Sequence, residues 1–321
     1  MFPSISVVIP VRNEMEHLGL ALQSILDMEY PGDLEILVAD GASADGTLEV
    51  ARSFGPAVTV VDNPNRTTPS GLNRAIEASS GAIILRCDAH SLLPKDYALT
   101  AVRLLKETGA GNVGGVQNAV GKTPLQRAIA FAMTSRAGTG DAAFHRGGPP
   151  GETDTVYLGV FQRSILNKVG LFDETLIRNQ DYELNHRIRA SGSSVYFSPE
   201  LSVEYRPRPS LRRLASQYFQ YGQWKRHVIA LHPSSIRLRH LAPPVLALAL
   251  IASLAIGLAG QPWAWLFGLT YLASLAGVAL IWLAKERTTA ALLMPAALLT
   301  MHLSWGTGFL KGLTKSQKPR T

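Results

Sequence analysis

Only one cysteine, Cys87, occurs in the 321 residues, so no internal disulfide can staple the fold and a reducing setting is the natural expectation. Glycine is missing where a dinucleotide-binding domain needs it. The first strand-like run, Ser4–Ile9, leads into Pro10-Val11-Arg12-Asn13-Glu14, and without glycine in that turn the backbone has no close approach to a pyrophosphate, which excludes the nicotinamide-binding reading. Acidic residues are absent between Arg206 and Arg239. That leaves Arg206, Arg208, Arg212, Arg213, Lys225, Arg226, Arg237 and Arg239 unbalanced, a juxtamembrane polybasic pattern attracted to anionic lipid. It also accounts for much of the net charge of +7 without the spread-out basic surface of a nucleic-acid-binding protein. Charge of either sign is absent from Leu241 to Ala284, enough for two membrane spans with Gly260-Gln261-Pro262 as the turn between them. Met1–Ser4 carries no basic residue and the apolar run after it is short, so no signal peptide is read and the amino-terminal part is expected to stay in the cytoplasm.

What is present organises itself around Ile83-Ile84-Leu85-Arg86-Cys87-Asp88-Ala89-His90. Three apolar residues followed by Arg, Asp and His describe a buried strand whose carboxyl end opens into a polar crevice. Asp88 and His90 present a carboxylate and an imidazole one residue apart, ligands acceptable to Mn²⁺ or Mg²⁺; the triplet alone reads equally as a strand end with a solvated Asp and a turn-capping His. Upstream, Glu14–Met28 carries Leu18, Ala21, Leu22, Ile25 and Leu26 at helical spacing. Glu35–Ala39 is a second strand, Asp40–Gly46 a turn, and a helix starts near Thr47; Val58–Val61 is a third strand, and a helix through Gly71–Ile76 follows. Strands alternating with helices predict an α/β, doubly wound, mostly parallel sheet with its crevice along the carboxyl ends. Glu14 and Asp40, acceptors at two successive strand ends, suit the donors of a nucleobase and ribose, although each singly is also a helix-start carboxylate.

Ser6-Val7-Val8-Ile9-Pro10-Val11-Arg12-Asn13-Glu14, then Asp40-Gly41-Ala42-Ser43-Ala44-Asp45-Gly46-Thr47, then Asp88-Ala89-His90 resemble in order and spacing the nucleotide-sugar motifs of family 2 glycosyltransferases. The resemblance covers about residues 4–205 and is reminiscent of the subgroup that builds exopolysaccharides such as succinoglycan. It implies the GT-A fold, a nucleotide-sugar donor, by family habit a UDP-hexose, and a divalent metal. It assigns donor contacts to Pro10, Arg12, Glu14, Asp40, Asn73, Arg86 and Asp88, and the metal to Asp88 and His90, with His90 standing where the family usually has an acidic residue. In Arg178-Asn179-Gln180-Asp181-Tyr182-Glu183 the resemblance places the general base of an inverting transfer at Asp181, with Gln180 replacing the family's Glu. By its local sequence Asp181 is equally an N-terminal helix carboxylate, and Glu183 is the fallback base.

Thr134–Thr155, rich in Gly and polar residues, reads as a mobile loop over the site. Ser210–Ala230 places Leu211, Leu214, Tyr218, Tyr221 and Val228 at helical spacing among basic residues, an interfacial helix lying on the membrane. Gln220-Tyr221-Gly222-Gln223-Trp224 partly matches a Gln-x-x-Arg-Trp signature of processive synthases, but Gln223 stands in place of Arg, against processivity. The expected organisation is a cytoplasmic transferase domain at 1–205, a basic interfacial segment at 206–240, membrane helices within 241–310 (about 241–260, 262–284 and 290–310) and a basic tail at 311–321. Three full spans would put Lys311, Lys315, Lys318 and Arg320 on the outer side, against the positive-inside rule, so the third segment reads either as a span or as re-entrant. The functional expectation is an inverting, metal-dependent transferase in the cytoplasmic membrane, moving a hexose to a lipid-linked or growing saccharide. The rivals are a polyprenyl-phosphate monosaccharide transferase and a non-catalytic membrane assembly factor with a degenerate site.

Overall fold

The structure, a computed structural model, describes residues 2–312; Lys315, Lys318 and Arg320 of the expected tail lie outside the described residues. In chain order the elements are β1 (Ile5–Val11), α1 (Met15–Leu26), β2 (Leu34–Asp40), α2 (Thr47–Ser53), β3 (Val58–Asp62), α3 (Thr68–Ala78), β4 (Ile83–Arg86), α4 (Tyr97–Thr108) and β5 (Asn112–Ala119). Helices α5 (Pro124–Thr134), α6 (Arg136–Thr139) and α7 (Ala143–Arg146) follow, then β6 (Gly151–Glu152), β7 (Tyr157–Gln162), α8 (Arg163–Val169), α9 (Gln180–Ala190) and β8 (Val195–Tyr205). The remainder is helical: α10 (Leu211–Leu231), α11 (Leu238–Leu258), α12 (Trp265–Glu286) and α13 (Met294–Gly312).

The chain divides into two compact units, one of residues 1–118 and 147–205, the other of 119–146 and 206–321. The first holds a mixed sheet of order β3-β2-β1-β4-β7-β5-β8-β6. Its β3-β2-β1-β4 half is parallel, the half whose strand-turn-helix rhythm the sequence displays. From β7 onward the observed pairings are antiparallel, so the sheet is less parallel than periodicity alone predicts. Ser6, Val7, Val8 and Ile9 are all buried because helices cover both faces, which is why β1 reads as an unbroken apolar run. One cluster packs Val7 and Ile9 with Leu18, Leu22 and Ile25 of α1 and with Tyr97 and Ala101 of α4.

The register builds the crevice. Val11 of β1 is level with Asp40 of β2, and Asp40 with Asp62 of β3, but β4 ends at Arg86 opposite Val8. Three residues of β1 therefore extend past β4. The chain goes from β1 outward to β2 and β3 and returns on the other side as β4, so this notch is the topological switch point where open α/β sheets bind ligands.

In the second unit, residues 119–146 group with the C-terminal helices. The segment is mostly helical turns, and three contacts anchor it: Phe131 stacks on Trp282 with ring centroids 5.0 Å apart, Asp141 pairs with Arg239 at 2.7 Å, and the Ala137 carbonyl lies 2.7 Å from His302 Nε2. Helix α10 is amphipathic as expected, and its buried face, with Leu214, Tyr218, Gly222 and Val228, packs against α13. Small residues make this possible. A Cβ on Gly222 would run into the Trp305 carbonyl, and one on Gly308 into the Phe219 carbonyl, so the two backbones touch where no side chain intervenes. Three helical stretches, 238–258, 262–286 and 289–312, are long and apolar enough to cross a membrane.

Candidate active site

At the notch the chain leaves β4 and turns sharply, the Ser91 N–H donating to the Asp88 carbonyl at 2.9 Å. This turn carries Asp88 and His90 on one short bend. The Arg86 guanidinium reaches forward to Asp88 Oδ1, at 3.0 Å from Nη2 and 3.3 Å from Nε, with both side chains largely buried. Burial alone would push the Asp88 carboxyl up, but Arg86, His90 and Arg178 together hold it below the ordinary aspartate value. Arg86 is likewise poorly solvated, and the negative charge of Asp88 and then of Asp181 outweighs that and fixes its proton. Thus one guanidinium on the strand end lies in the field of two carboxylates, Asp88 from β4 and Asp181 from α9.

Asp181 occupies the first turn of α9, where the helix dipole favours negative charge, and its Oδ1 accepts from the Tyr182 N–H at 2.8 Å. The helix is entered through Asn179 at φ 61°. Glu183, one half-turn on, is buried and takes Arg187 in a bidentate pair at 2.8 Å on each oxygen; Arg187 also donates to the carbonyls of Val169, Gly170 and Leu171. Both Glu183 oxygens are thus engaged by Arg187, and the pair clamps α9 to the 169–171 turn.

The other strand ends are laced together by short polar bonds. Asp40 accepts from Ser43 through both oxygens, Oγ at 2.5 Å and N–H at 3.2 Å. Ser43 in turn accepts from the Asn13 N–H at 2.9 Å, the Asn13 side chain accepts from the Ala44 N–H at 2.9 Å, and Thr47 accepts from the Glu14 N–H at 2.8 Å. Asn13, Ala42 and Arg66, following β1, β2 and β3, all have φ between 55° and 57°. Three non-glycine residues in the left-handed region at one edge of one sheet is the clustering seen where structure holds strain at a ligand site.

Of the residues singled out from sequence, Pro10, Arg12, Glu14, Asp40, Arg86, Asp88 and His90 lie on the carboxyl ends of β1, β2 and β4, and Asp181 joins them electrostatically from α9. Asn73 does not present its amide to the crevice. Its Nδ2 donates to the Phe172 carbonyl at 2.9 Å and to Glu174 at 3.0 Å, and its Oδ1 accepts from the Phe172 N–H at 3.0 Å. Its place is that of a clamp on the 172–174 turn. Three residues were not foreseen: Arg178 and Tyr157, which share the field of Asp88, and Ser91, whose hydroxyl lies 3.4 Å from the Tyr157 hydroxyl. A register shift between Val113 and Gly115 opposite β7 and the left-handed Leu158 (φ 45°) set the start of that strand, the usual work of a bulge beside a site. Nothing in a one-dimensional pattern reveals that β7 runs antiparallel beside β4.

Among the described residues no three His, Cys, Asp or Glu side chains converge on one point, so protein groups alone complete no coordination shell. Asp88 and His90 form a two-donor set on one turn, the carboxylate held ionised and bonded to Arg86 through Oδ1 only. Such a set suits Mn²⁺ or Mg²⁺ whose other positions go to phosphate oxygens and water.

The model for glycosyl transferase family 2 matches residues 6–170. The chain is similar to the succinoglycan biosynthesis protein ExoA of Rhizobium meliloti (strain 1021), 32% identical over 315 residues that cover 96% of this chain and 94% of that protein. It is also similar to the glycosyltransferase AglE of Haloferax volcanii, 29% identical over 246 residues, 73% and 77% of the two chains. Among solved structures it resembles the mannosyltransferase PcManGT from Pyrobaculum calidifontis in complex with GDP-Man and Mn²⁺, with a TM-score of 0.65 at 21% identity over 99% of this chain and 89% of that one. It also resembles S. aureus TarS 1–349 in complex with UDP, with a TM-score of 0.53 at 16% identity over 99% and 93%. At such identities the structures speak for the fold, which is GT-A-like, while the family model and the near full-length relative speak for kinship: the chain belongs to glycosyltransferase family 2.

Proposed function

We propose that this glycosyltransferase is inverting and metal-dependent, and moves a hexose from a nucleotide sugar, a UDP-sugar by preference, to a lipid-linked or growing saccharide in exopolysaccharide or cell-surface glycan synthesis. The observation that carries the reading is the Asp88–Arg86–Asp181 arrangement at the switch point. It puts one carboxylate beside a guanidinium where a diphosphate would lie, and a second carboxylate on a separate element facing the same charge. Glu14 and Asp40, with Pro10 and Arg12 beside them, line the nucleoside end. Arg86 and Arg178 supply positive charge for the departing diphosphate. Asp88 and His90 would hold Mn²⁺ or Mg²⁺, which when bound neutralises diphosphate charge. Asp181 would accept the proton of the acceptor hydroxyl as that oxygen attacks the anomeric carbon from the face opposite the leaving group. Asn73 serves this scheme by holding the 172–174 turn.

The membrane helices fit an acceptor that stays in the bilayer while a soluble donor arrives from the cytosol, and we place the enzyme in the cytoplasmic membrane with its transferase domain in the cytoplasm. Purified protein in detergent, given UDP-, GDP- and dTDP-sugars with Mn²⁺ and a lipid acceptor extract, is expected to release nucleoside diphosphate from one donor class and to stop when the metal is chelated. Release that persists in chelator overturns the metal role. Absence of both release and donor binding by calorimetry overturns the transferase reading in favour of a degenerate site.

A further inference from the structure

We propose that Asn185 is a positioning residue for the transfer reaction, holding the helix turn that carries Asp181 through its bonds to Asn112 and Thr155; the inference rests on Asp181 being the general base. Residues four apart on an α-helix share one face, a turn from each other. Asn185 stands in that relation to Asp181 on α9. Glu183, two residues on from Asp181, faces roughly the opposite way, and there its pair with Arg187 fastens α9 to the 169–171 turn. Two fastenings on different faces stop the helix from rolling, whereas one alone would leave a pivot.

The Asn185 fastening lies in the core. Its Oδ1 accepts from Asn112 Nδ2 at 2.7 Å, and its Nδ2 donates to Thr155 Oγ1 at 3.1 Å. Asn112 is fully buried, and Asn185 is 2% exposed. Asn112 is itself held firmly. It starts β5 level with Phe161 of β7, just after Gly111, whose N–H donates to the Ser194 carbonyl at 3.0 Å and whose carbonyl accepts from the Gln162 N–H at 3.1 Å. Helix α9 is therefore bonded to an interior strand of the sheet. Thr155 lies two residues before Tyr157, whose hydroxyl is 3.4 Å from that of Ser91 beside the Asp88–His90 bend. One amide thus ties the helix of Asp181 to the segment that leads to the other carboxylate.

Packing does not account for these amides. A buried amide is costly unless its polar atoms are bonded, and Asn112 Oδ1 has no hydrogen-bond partner among the described residues. Gly159 leaves room for it: an added Cβ would stand 2.7 Å from Asn112 Oδ1 and 2.9 Å from its Nδ2. Leucines at 112 and 185 would fill similar space without that cost. Apolar contacts are non-directional, however, and would not fix which face of α9 meets the sheet. Directional bonds are worth their cost where a reacting atom must be held to within about 0.5 Å.

The test follows nucleoside diphosphate release by full-length variants in detergent, with lipid acceptor extract and whichever of the UDP-, GDP- and dTDP-sugars the parent turns over, alongside thermal midpoints. Asn185→Leu is expected to lower kcat by about 10²-fold, the usual cost of misplacing a reacting group by about 1 Å, with donor KM near that of the parent. Its midpoint should fall as well, since Asn112 and Thr155 lose their partner. The double variant Asn112→Leu/Asn185→Leu removes both amides and should regain midpoint while kcat stays low. Recovery of kcat in the double variant would reveal a packing role and overturn the inference, as would parental kcat in Asn185→Leu. Should Asn185→Leu fail to fold, Thr155→Val decides, because it keeps the shape and drops one bond: lower kcat at parental donor KM supports the inference, and unchanged kcat overturns it. Asp181→Asn, measured in parallel, separates the two levels. If it loses turnover while Asn185→Leu keeps it, positioning alone fails; if it turns over like the parent, the base assignment fails and the positioning role with it.

Discussion

Each of the two units is held together internally by its own means. In the first, polar groups fasten loops to strand ends: Ser43 and Asn13 bridge the first two, Asn73 and Glu174 tie down the 172–174 turn, and Arg187 with Glu183 locks α9. In the second, helices touch through missing side chains and stacked rings, as at Gly222, Gly308 and the Phe131–Trp282 pair. A site that must order a charged donor needs directional bonds that hold a few atoms in place. A bundle in an apolar solvent has little hydrophobic drive between its helices and gains from close contact instead.

The widest separation between function and architecture is expected inside one helix turn of the first unit. Asp181→Asn should lower transfer by about 10²–10⁴-fold, the usual worth of a general base, while donor binding by calorimetry stays near that of the parent. Glu183→Gln should do the opposite. Removing one partner of a buried, hydrogen-bonded ion pair costs about 3–5 kcal/mol, so its thermal midpoint falls while turnover per folded molecule persists. If Glu183→Gln kept its stability and lost transfer, the base would have been assigned to the wrong carboxylate.

Substitution at a helix contact probes the second unit. Gly222→Leu forces a side chain between α10 and the Trp305 carbonyl and should cost about 1–3 kcal/mol by overpacking, read as a lower midpoint for the tryptophan-rich helical part in detergent. Donor affinity, which the proposed function places at strand ends of the other unit, is expected to hold. A matching loss of donor affinity would mean that the two units do not unfold independently.

Much of the first unit is legible in the sequence because its physics is local. Period and punctuation expose β1 to β4 with their helices, and strand-end residues such as Asp40 and Asp88 stand where apolar runs stop. The antiparallel half is not legible in the same way: β5, β7 and β8 are brought together by long-range pairing, so the bulge that sets the start of β7 and the place of Tyr157 there has no local signature. Asn73 illustrates a second limit. Its position in a motif says that it matters, but only the fold shows that its amide is bonded to Phe172 and Glu174. In the second unit hydropathy marks the apolar segments but not their direction, and the 119–146 excursion has nothing in its composition to announce that it packs with helices over a hundred residues away.

A smaller, pH-dependent effect is expected at the far edge of the sheet, away from the site. Burial tends to raise the Glu35 carboxyl, but donors from Ser6, Ser80 and Gly81 at 2.6–3.1 Å more than offset this and hold it below its ordinary value of 4.5. A carboxyl depressed in the folded state stabilises above its unfolded value and loses that contribution as the pH falls through the folded one. Glu35→Gln should therefore cost about 1–2 kcal/mol at neutral pH, as for a charge-assisted acceptor. Its penalty relative to the parent should shrink as the pH drops below 4.5, which denaturant midpoints across an acid series would show. A constant penalty would mean that packing, not charge, makes the contact.

The smallest effect concerns the left-handed residues after the first three strands. Ala42 at φ 55° carries a Cβ in a conformation that costs an L-residue about 1–2 kcal/mol, whereas glycine adopts it freely but gives up about 0.5–1 kcal/mol more entropy on folding. Ala42→Gly is then expected to raise stability by about 0.5 kcal/mol, the difference between those terms. It places a second glycine beside Gly41 in the loop that carries Asp40 and Ser43, and the loop should become less preorganised, so donor affinity is expected to fall although the protein is more stable. Opposite signs for the two readouts would identify the strain at Ala42 as something the loop keeps for its ligand. If stability rises with affinity unchanged, the left-handed turn is merely how the chain leaves β2.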